Sequence, residues 1–170
     1  MDECLIERWG NAMTNITLKG IIDEDFVNYR VPSMTLMFPY CNFKCGENLC
    51  QNSDLVKHED IKINIKKLCK RYLDNPITKS IVCQGLDPMD SYEELLEFIK
   101  ILRYEYNCND DIVIYTGYNE DEIEMHLMML SMFDNIVIKF GRYIPNQTPH
   151  FDEVLGVKLA SDNQYGEKIS

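Results

Sequence analysis

No run of 18 consecutive apolar residues occurs anywhere in this 170-residue chain, which excludes a membrane-spanning helix of ordinary length. Positive charge is also scarce: 17 Lys and Arg stand against 28 Asp and Glu, a formal net charge of −11. That balance argues against affinity for nucleic-acid phosphates, and its simplest reading is a solvated acidic surface that maintains solubility. The opening Met1-Asp2-Glu3-Cys4-Leu5 has neither a basic start nor an apolar segment, so no secretory signal and a reducing, cytoplasmic setting are expected. There is no internal repeat and no low-complexity tract. The length allows a single domain over residues 1–170 with one sizeable core, and no room for a large second one.

What the chain does hold is cysteine. There are seven, an odd number, and in a reducing compartment unpaired or metal-bound thiols are expected before a disulfide framework. Cys41, Cys45 and Cys50 fall within ten residues, just after the apolar run Met34-Thr35-Leu36-Met37-Phe38 and Pro39. Three thiols are thereby presented on one short loop at the end of a buried strand. Three thiolates can hold zinc or an iron–sulfur cluster. A structural zinc site usually closes with four protein ligands in paired C-x2-C spacings, which are absent, and the next cysteine is Cys69. In a four-iron cluster, three ligands leave one iron open to a cofactor or substrate. Cys4, Cys69, Cys83 and Cys108 read as ordinary residues.

Along the chain, residues 15–31 predict a short strand or hairpin, and Ser33 to Phe38 the first strong strand. Leu55 to Leu73 fits an amphipathic helix, Thr78 to Cys83 a strand, and Gln84-Gly85-Leu86-Asp87-Pro88 the sharp loop that ends it. Ser91 and Glu94 form a capping-box pattern ahead of the helix carrying Leu95, Leu96, Phe98, Ile99 and Leu102. A strand over 111–115, a helix over 120–131 with Ile123, Leu127 and Leu130 on one face, and a strand over 135–139 follow. After Gly141 the pattern turns irregular. Met125, Met128, Met129 and Met132 form a methionine-rich helix face read as plastic core packing. His126 and His150 are isolated and read as surface or packing residues. Strand and helix alternate three times, which makes an α/β fold of parallel βαβ units the economical architecture, with functional loops at the carboxyl ends of the strands.

The cysteine loop resembles that of the radical S-adenosylmethionine enzymes, usually C-x3-C-x2-C with an aromatic residue inside. Cys41-Asn42-Phe43-Lys44-Cys45 matches its first half, while Cys45 to Cys50 is C-x4-C, two residues longer. Cys50-Gln51-Asn52 resembles the Cys-x-Asn that ends this loop in the small activating enzymes of anaerobic ribonucleotide reductase. Gln84 to Pro88 is similar to a Gly-Gly-Glu-Pro motif, with Asp87 in place of Glu. Ile114 to Tyr118, Ile138 to Tyr143, Leu155-Gly156 and Ser161 to Gln164 resemble further segments of those activases, so the resemblance spans roughly residues 22–168.

The resemblance implies a truncated, partial (βα) barrel of parallel strands. It implies a [4Fe-4S] cluster on Cys41, Cys45 and Cys50, and S-adenosylmethionine held by Gly85 and Asp87 at its methionine part and by Thr116 or Gly117 on the adenosine side. One electron from the reduced cluster would cleave that cofactor to methionine and a 5′-deoxyadenosyl radical. The implied partners are a large glycyl-radical enzyme subunit like the anaerobic reductase, activated at a glycine, and an electron donor such as flavodoxin. No catalytic base is assigned. Two alternatives stay open: a non-catalytic or electron-transfer 4Fe-4S module of the same fold, and a small zinc-binding interaction protein.

Overall fold

The computed structural model describes residues 14–44, 46, 48, 50 and 52–170; Cys45, Glu47, Leu49, Gln51 and residues 1–13, Cys4 among them, lie outside the description. The first strands are β1 (Asn15–Leu18), β2 (Gly20–Asp25), β3 (Ser33–Phe38) and β4 (Ile61–Asn64). Three strand–helix alternations follow: α1 (Ile65–Leu73), β5 (Ser80–Gly85), α2 (Tyr92–Lys100), β6 (Asp111–Tyr115), α3 (Glu124–Leu130) and β7 (Ile136–Phe140). The short strands β8 (His150–Asp152), β9 (Val157–Leu159) and β10 (Tyr165–Lys168) complete the order. Among the described residues no helix is long and apolar enough to cross a membrane.

The main sheet has six strands in the order β10-β7-β6-β5-β3-β2. Its centre, β3-β5-β6-β7, is parallel, but β2 joins β3 and β10 joins β7 antiparallel. With the small antiparallel pairs β1–β4 and β8–β9, antiparallel pairings outnumber parallel ones. The expected partial barrel of parallel strands is therefore corrected to a mixed, open sheet. The strand–helix rhythm describes only the middle of the chain. On one flank, the short link from β2 to β3 permits a hairpin and no crossover helix, so that edge runs antiparallel. On the other, the irregular stretch after Gly141 resolves into three short strands, the last of which closes the β7 edge.

Both faces of the parallel centre are covered, as such strands require. Successive residues point to opposite faces, so Ile81 and Cys83, Ile112 and Ile114, and Ile136 and Ile138 share one face, with Val82, Val113 and Val137 on the other. The isoleucine face receives Ile65, Leu68 and Tyr72 of α1, Leu95, Phe98 and Ile99 of α2, and Leu130 of α3. The valine face is covered by Tyr29, Leu155 and Leu159. Tyr29 donates to Asp111 (2.8 Å) and Tyr115 donates to the Asn28 carbonyl (2.6 Å), which fastens the covering segment to β6. Asp152 accepts the amides of Leu155 (2.9 Å) and Gly166 (2.8 Å), which ties the β8–β9 hairpin to β10. Each large aliphatic side chain buried this way contributes about 1.5–3 kcal/mol.

Three local expectations change. The helix expected from Leu55 is a 3-10 turn over Ser53–Lys57, then β4, and only then α1, because alternating Ile61 and Ile63 pair with β1 across Ile61↔Leu18 and Ile63↔Ile16. The helix expected over 120–131 is a 3-10 turn (Glu120–Glu122) followed by α3. Ser91 makes no capping hydrogen bond; Asp87 accepts the Met89 amide instead, and Glu94 reaches away to take the amide (2.7 Å) and hydroxyl (3.3 Å) of Thr17 in β1.

Asp25 closes the β2–β3 hairpin. Its carboxylate accepts the amides of Val27 (2.8 Å) and Asn28 (3.3 Å), the Asn28 side chain (2.6 Å) and the Thr35 hydroxyl (2.5 Å). Burial opposes its charge, but those donors prevail and hold the carboxyl below its usual value. A depressed folded value gives stability that is full above the unfolded value, near pH ~4, and is lost as pH falls through the folded one. Asp25→Ala is expected to lose about 2–3 kcal/mol in urea unfolding at pH 7, with the gap from the parent protein shrinking in acid. Gly85 closes the β3–β5 ladder with φ +106°, and a Cβ there would lie 2.7 Å from the Phe38 amide nitrogen. Gly85→Ala is expected to cost about 1–3 kcal/mol by the same measurement. Gly20→Ala meets only the flexible end of Met37 and should cost about 0.5 kcal/mol or less.

Candidate functional site

The carboxyl ends of β3, β5, β6 and β7 surround a cleft of about 360 Å³. Cys41, Cys50, Gly85, Asp87, Thr116 and Gly117 all line it. The structure thus brings together every site residue expected from the sequence except Cys45, which lies outside the described residues. They meet because parallel strands end on one rim, and because the β3–β5 ladder runs two residues past the strands: the Leu86 amide donates to the Phe38 carbonyl (3.2 Å) and that of Asp87 to the Tyr40 carbonyl (2.7 Å). Gln84 and Gly85, read from sequence as loop, are the last residues of β5.

The cysteine loop is fixed to this rim on both sides. On the Cys41 side, Asp90 accepts the Asn42 amide (3.0 Å) and the Tyr118 hydroxyl (2.6 Å), and the Asn42 side chain donates to that same hydroxyl (2.5 Å). On the Cys50 side, the Asn52 side chain donates to the Gly85 carbonyl (3.1 Å). Inside the loop the Phe43 amide donates to Cys41 Sγ (3.2 Å), a contact that stabilises charge on sulfur.

Asp87 has a different setting from that of a carboxylate facing open solvent. It is 5% exposed, and it accepts the amides of Met89 (3.0 Å) and Gly117 (2.9 Å) and the Thr116 hydroxyl (3.0 and 3.1 Å). Burial pushes its carboxyl up to about 6, against the downward pull of those donors. The group therefore ties the loop after β5 to the loop after β6.

Several rim residues carried no role in the sequence reading. Arg142 grips Glu122 with two hydrogen bonds (2.9 and 2.8 Å), which holds that carboxyl down at about 2, and its guanidinium lies 5.5 Å from the Tyr118 ring. Lys44 of the cysteine loop stands 5.5 Å from the same ring and 3.7 Å from Glu122. Lys139 is 8% exposed and donates to the Gly141 carbonyl (2.8 Å), which also accepts from Gln164 (3.2 Å). A lysine within Ile136-Val137-Ile138-Lys139-Phe140 was the available signal, since a charge in an otherwise apolar central strand calls for a polar destination.

The donor chemistry fits a thiolate-bound cluster. Cys41 and Cys50 are half-buried on the cleft wall, whereas Cys69, Cys83 and Cys108 are buried elsewhere. Burial pushes the Cys69 thiol up to about 12 and raises Cys83 and Cys108 as well, which favours the neutral thiol over the metal-binding form. Among the described residues no three Cys, His, Asp or Glu side chains converge as a metal group.

No curated protein matches the chain. The family described as "4Fe-4S single cluster domain" matches residues 29–160, from the segment over the valine face, through the cysteine loop and the rim, to the end of β9. Since that match spans well over half of the sequence, the chain belongs to the 4Fe-4S single cluster domain family.

Proposed function

We propose that this protein is a radical S-adenosylmethionine activating enzyme that makes a glycyl radical on a large partner similar to anaerobic ribonucleoside-triphosphate reductase. The observation that carries the reading is the convergence of Cys41, Cys50, Gly85, Asp87, Thr116 and Gly117 on one cleft at the sheet's carboxyl rim. Cys41, Cys45 and Cys50 would hold the cluster. When bound, the cluster supplies the electron for reductive cleavage of S-adenosylmethionine. Gly85 and Asp87 would orient the methionine part of that cofactor, with Thr116 and Gly117 along the adenosine side. The chain's own contribution is placement: the Asp90 and Asn52 contacts fix the cysteine loop against the β5 loop, so thiols and cofactor-binding backbone keep one geometry. The cleft opens to solvent, and docking of the partner would exclude water from it. The electron would come from a donor such as flavodoxin.

A second reading is an electron-transfer module that binds the cluster without the cofactor. One observation favours it: both oxygens of Asp87 already accept hydrogen bonds from the protein itself.

Anaerobic reconstitution separates these readings. Replacing Cys41, Cys45 and Cys50 together with alanine is expected to abolish bound iron and sulfide, while Cys69→Ala and Cys108→Ala keep both; unchanged iron in the triple variant would sink the ligand assignment. With dithionite and S-adenosylmethionine, the loaded protein should release 5′-deoxyadenosine, and Asp87→Ala should weaken cofactor binding at undiminished iron content. Full cluster occupancy with no 5′-deoxyadenosine would favour the electron-transfer module. Cofactor cleavage with no glycyl doublet in the electron paramagnetic resonance spectrum of the reductase subunit from the same source would redirect the search for the partner.

A further inference from the structure

Helix α3 is apolar on two sides, yet only one of them is buried. Ile123, Leu127 and Leu130 face the core, while Met125 and Met128 are 68% and 55% exposed, Met129 is 39% exposed, and Met132 just beyond the helix is 70% exposed. Their spacing of three, one and three residues sets them on one stripe. The core packing expected for these methionines is therefore corrected: the core needs just one face of α3, and Ile123, Leu127 and Leu130 already supply it.

The charged side chains of the segment that carries the stripe have one sign, although Glu122 is paired with Arg142 and Lys44 from elsewhere. From Asn119 to Asn135 there is no Lys or Arg but five carboxylates, of which Asp121, Glu124 and Asp134 are exposed and flank the methionines in sequence. An apolar stripe with an acidic border repels a second copy of itself and an anionic membrane, and it attracts a cationic, apolar-faced segment. Flexible, polarisable methionines adapt to the irregular side chains of such a helix.

We propose that the Met125, Met128, Met129 and Met132 face of α3 is the docking surface for a basic amphipathic helix of another protein. This assignment is independent of the cleft and of the chemistry proposed there. The test uses a synthetic amphipathic helix of leucine and lysine, a leucine–glutamate counterpart, and the variant Met125→Gln/Met128→Gln/Met132→Gln, which keeps the net charge of the parent. Circular dichroism and iron content establish that the variant is folded and loaded. The expected result is binding of the lysine peptide that weakens roughly tenfold or more in the variant and falls with added salt, with no binding of the glutamate peptide. Equal affinity of parent and variant for the lysine peptide would reduce the effect to net charge and overturn the proposal. So would a dimer in sedimentation that the variant abolishes, or a variant-sensitive association with neutral lipid vesicles.

Discussion

The buried Asp87 carboxylate holds the working end of this molecule together. A charge with so little water around it is stable only if donors surround it, and the two amides and one hydroxyl that do so come from the β5 loop and from the end of β6. Two neighbouring strands thus finish in a fixed relation to each other. The rest of the rim is referred to that pair. The cysteine loop attaches to the β5 loop through Asp90 and through the Gly85 carbonyl, and Tyr118, two residues beyond Thr116, shares the Asp90 contact.

This arrangement explains how a loop with an enlarged second cysteine interval can still present Cys41 and Cys50 to a common cleft. Its two ends are anchored independently, so the extra residues between them need not move the anchors. The electrostatics divide in the same way. Carboxylates predominate over the molecule as a whole, yet the cleft lining holds three basic residues, Lys139, Arg142 and Lys158, beside the one carboxylate of Asp87, with Arg142 paired to Glu122.

Much of the candidate site's placement was legible in sequence because its signals are local: the thiols of Cys41 and Cys50, a Gly-Leu-Asp-Pro turn and a Thr-Gly after an apolar run each follow the end of a strand. Parallel topology then gathers them without further information. That the sheet is mixed and open was not legible in the same way, since whether an outer strand runs parallel or antiparallel depends on partners far along the chain. Ile61 and Ile63 illustrate this: read together with Ile65 and Leu68 they extend a helical pattern, but their own two-residue alternation is that of a strand, and it pairs with Ile16 and Leu18. The methionines of α3 misled for a related reason. Apolar residues at helical spacing mark a face that avoids water, but they do not say whether the shelter comes from the same chain. Asp87 stands out in the sequence but its surroundings do not, because the Gly117 amide and Thr116 hydroxyl lie some thirty residues away.

The antiparallel outer strands have a consequence for the order in which the molecule can be completed. Strand β7 is Ile136-Val137-Ile138-Lys139-Phe140, buried throughout, and one of its edges is closed only by β10. During synthesis that edge stays unpaired while the following two dozen residues are added, a bare template on which another nascent chain could add a strand. Once in place, β10 offers Glu167 and Lys168 at the border, and β2 offers Asp23 and Glu24 at the opposite one. The apolar centre is thereby enclosed between charged margins that discourage growth of the sheet from molecule to molecule.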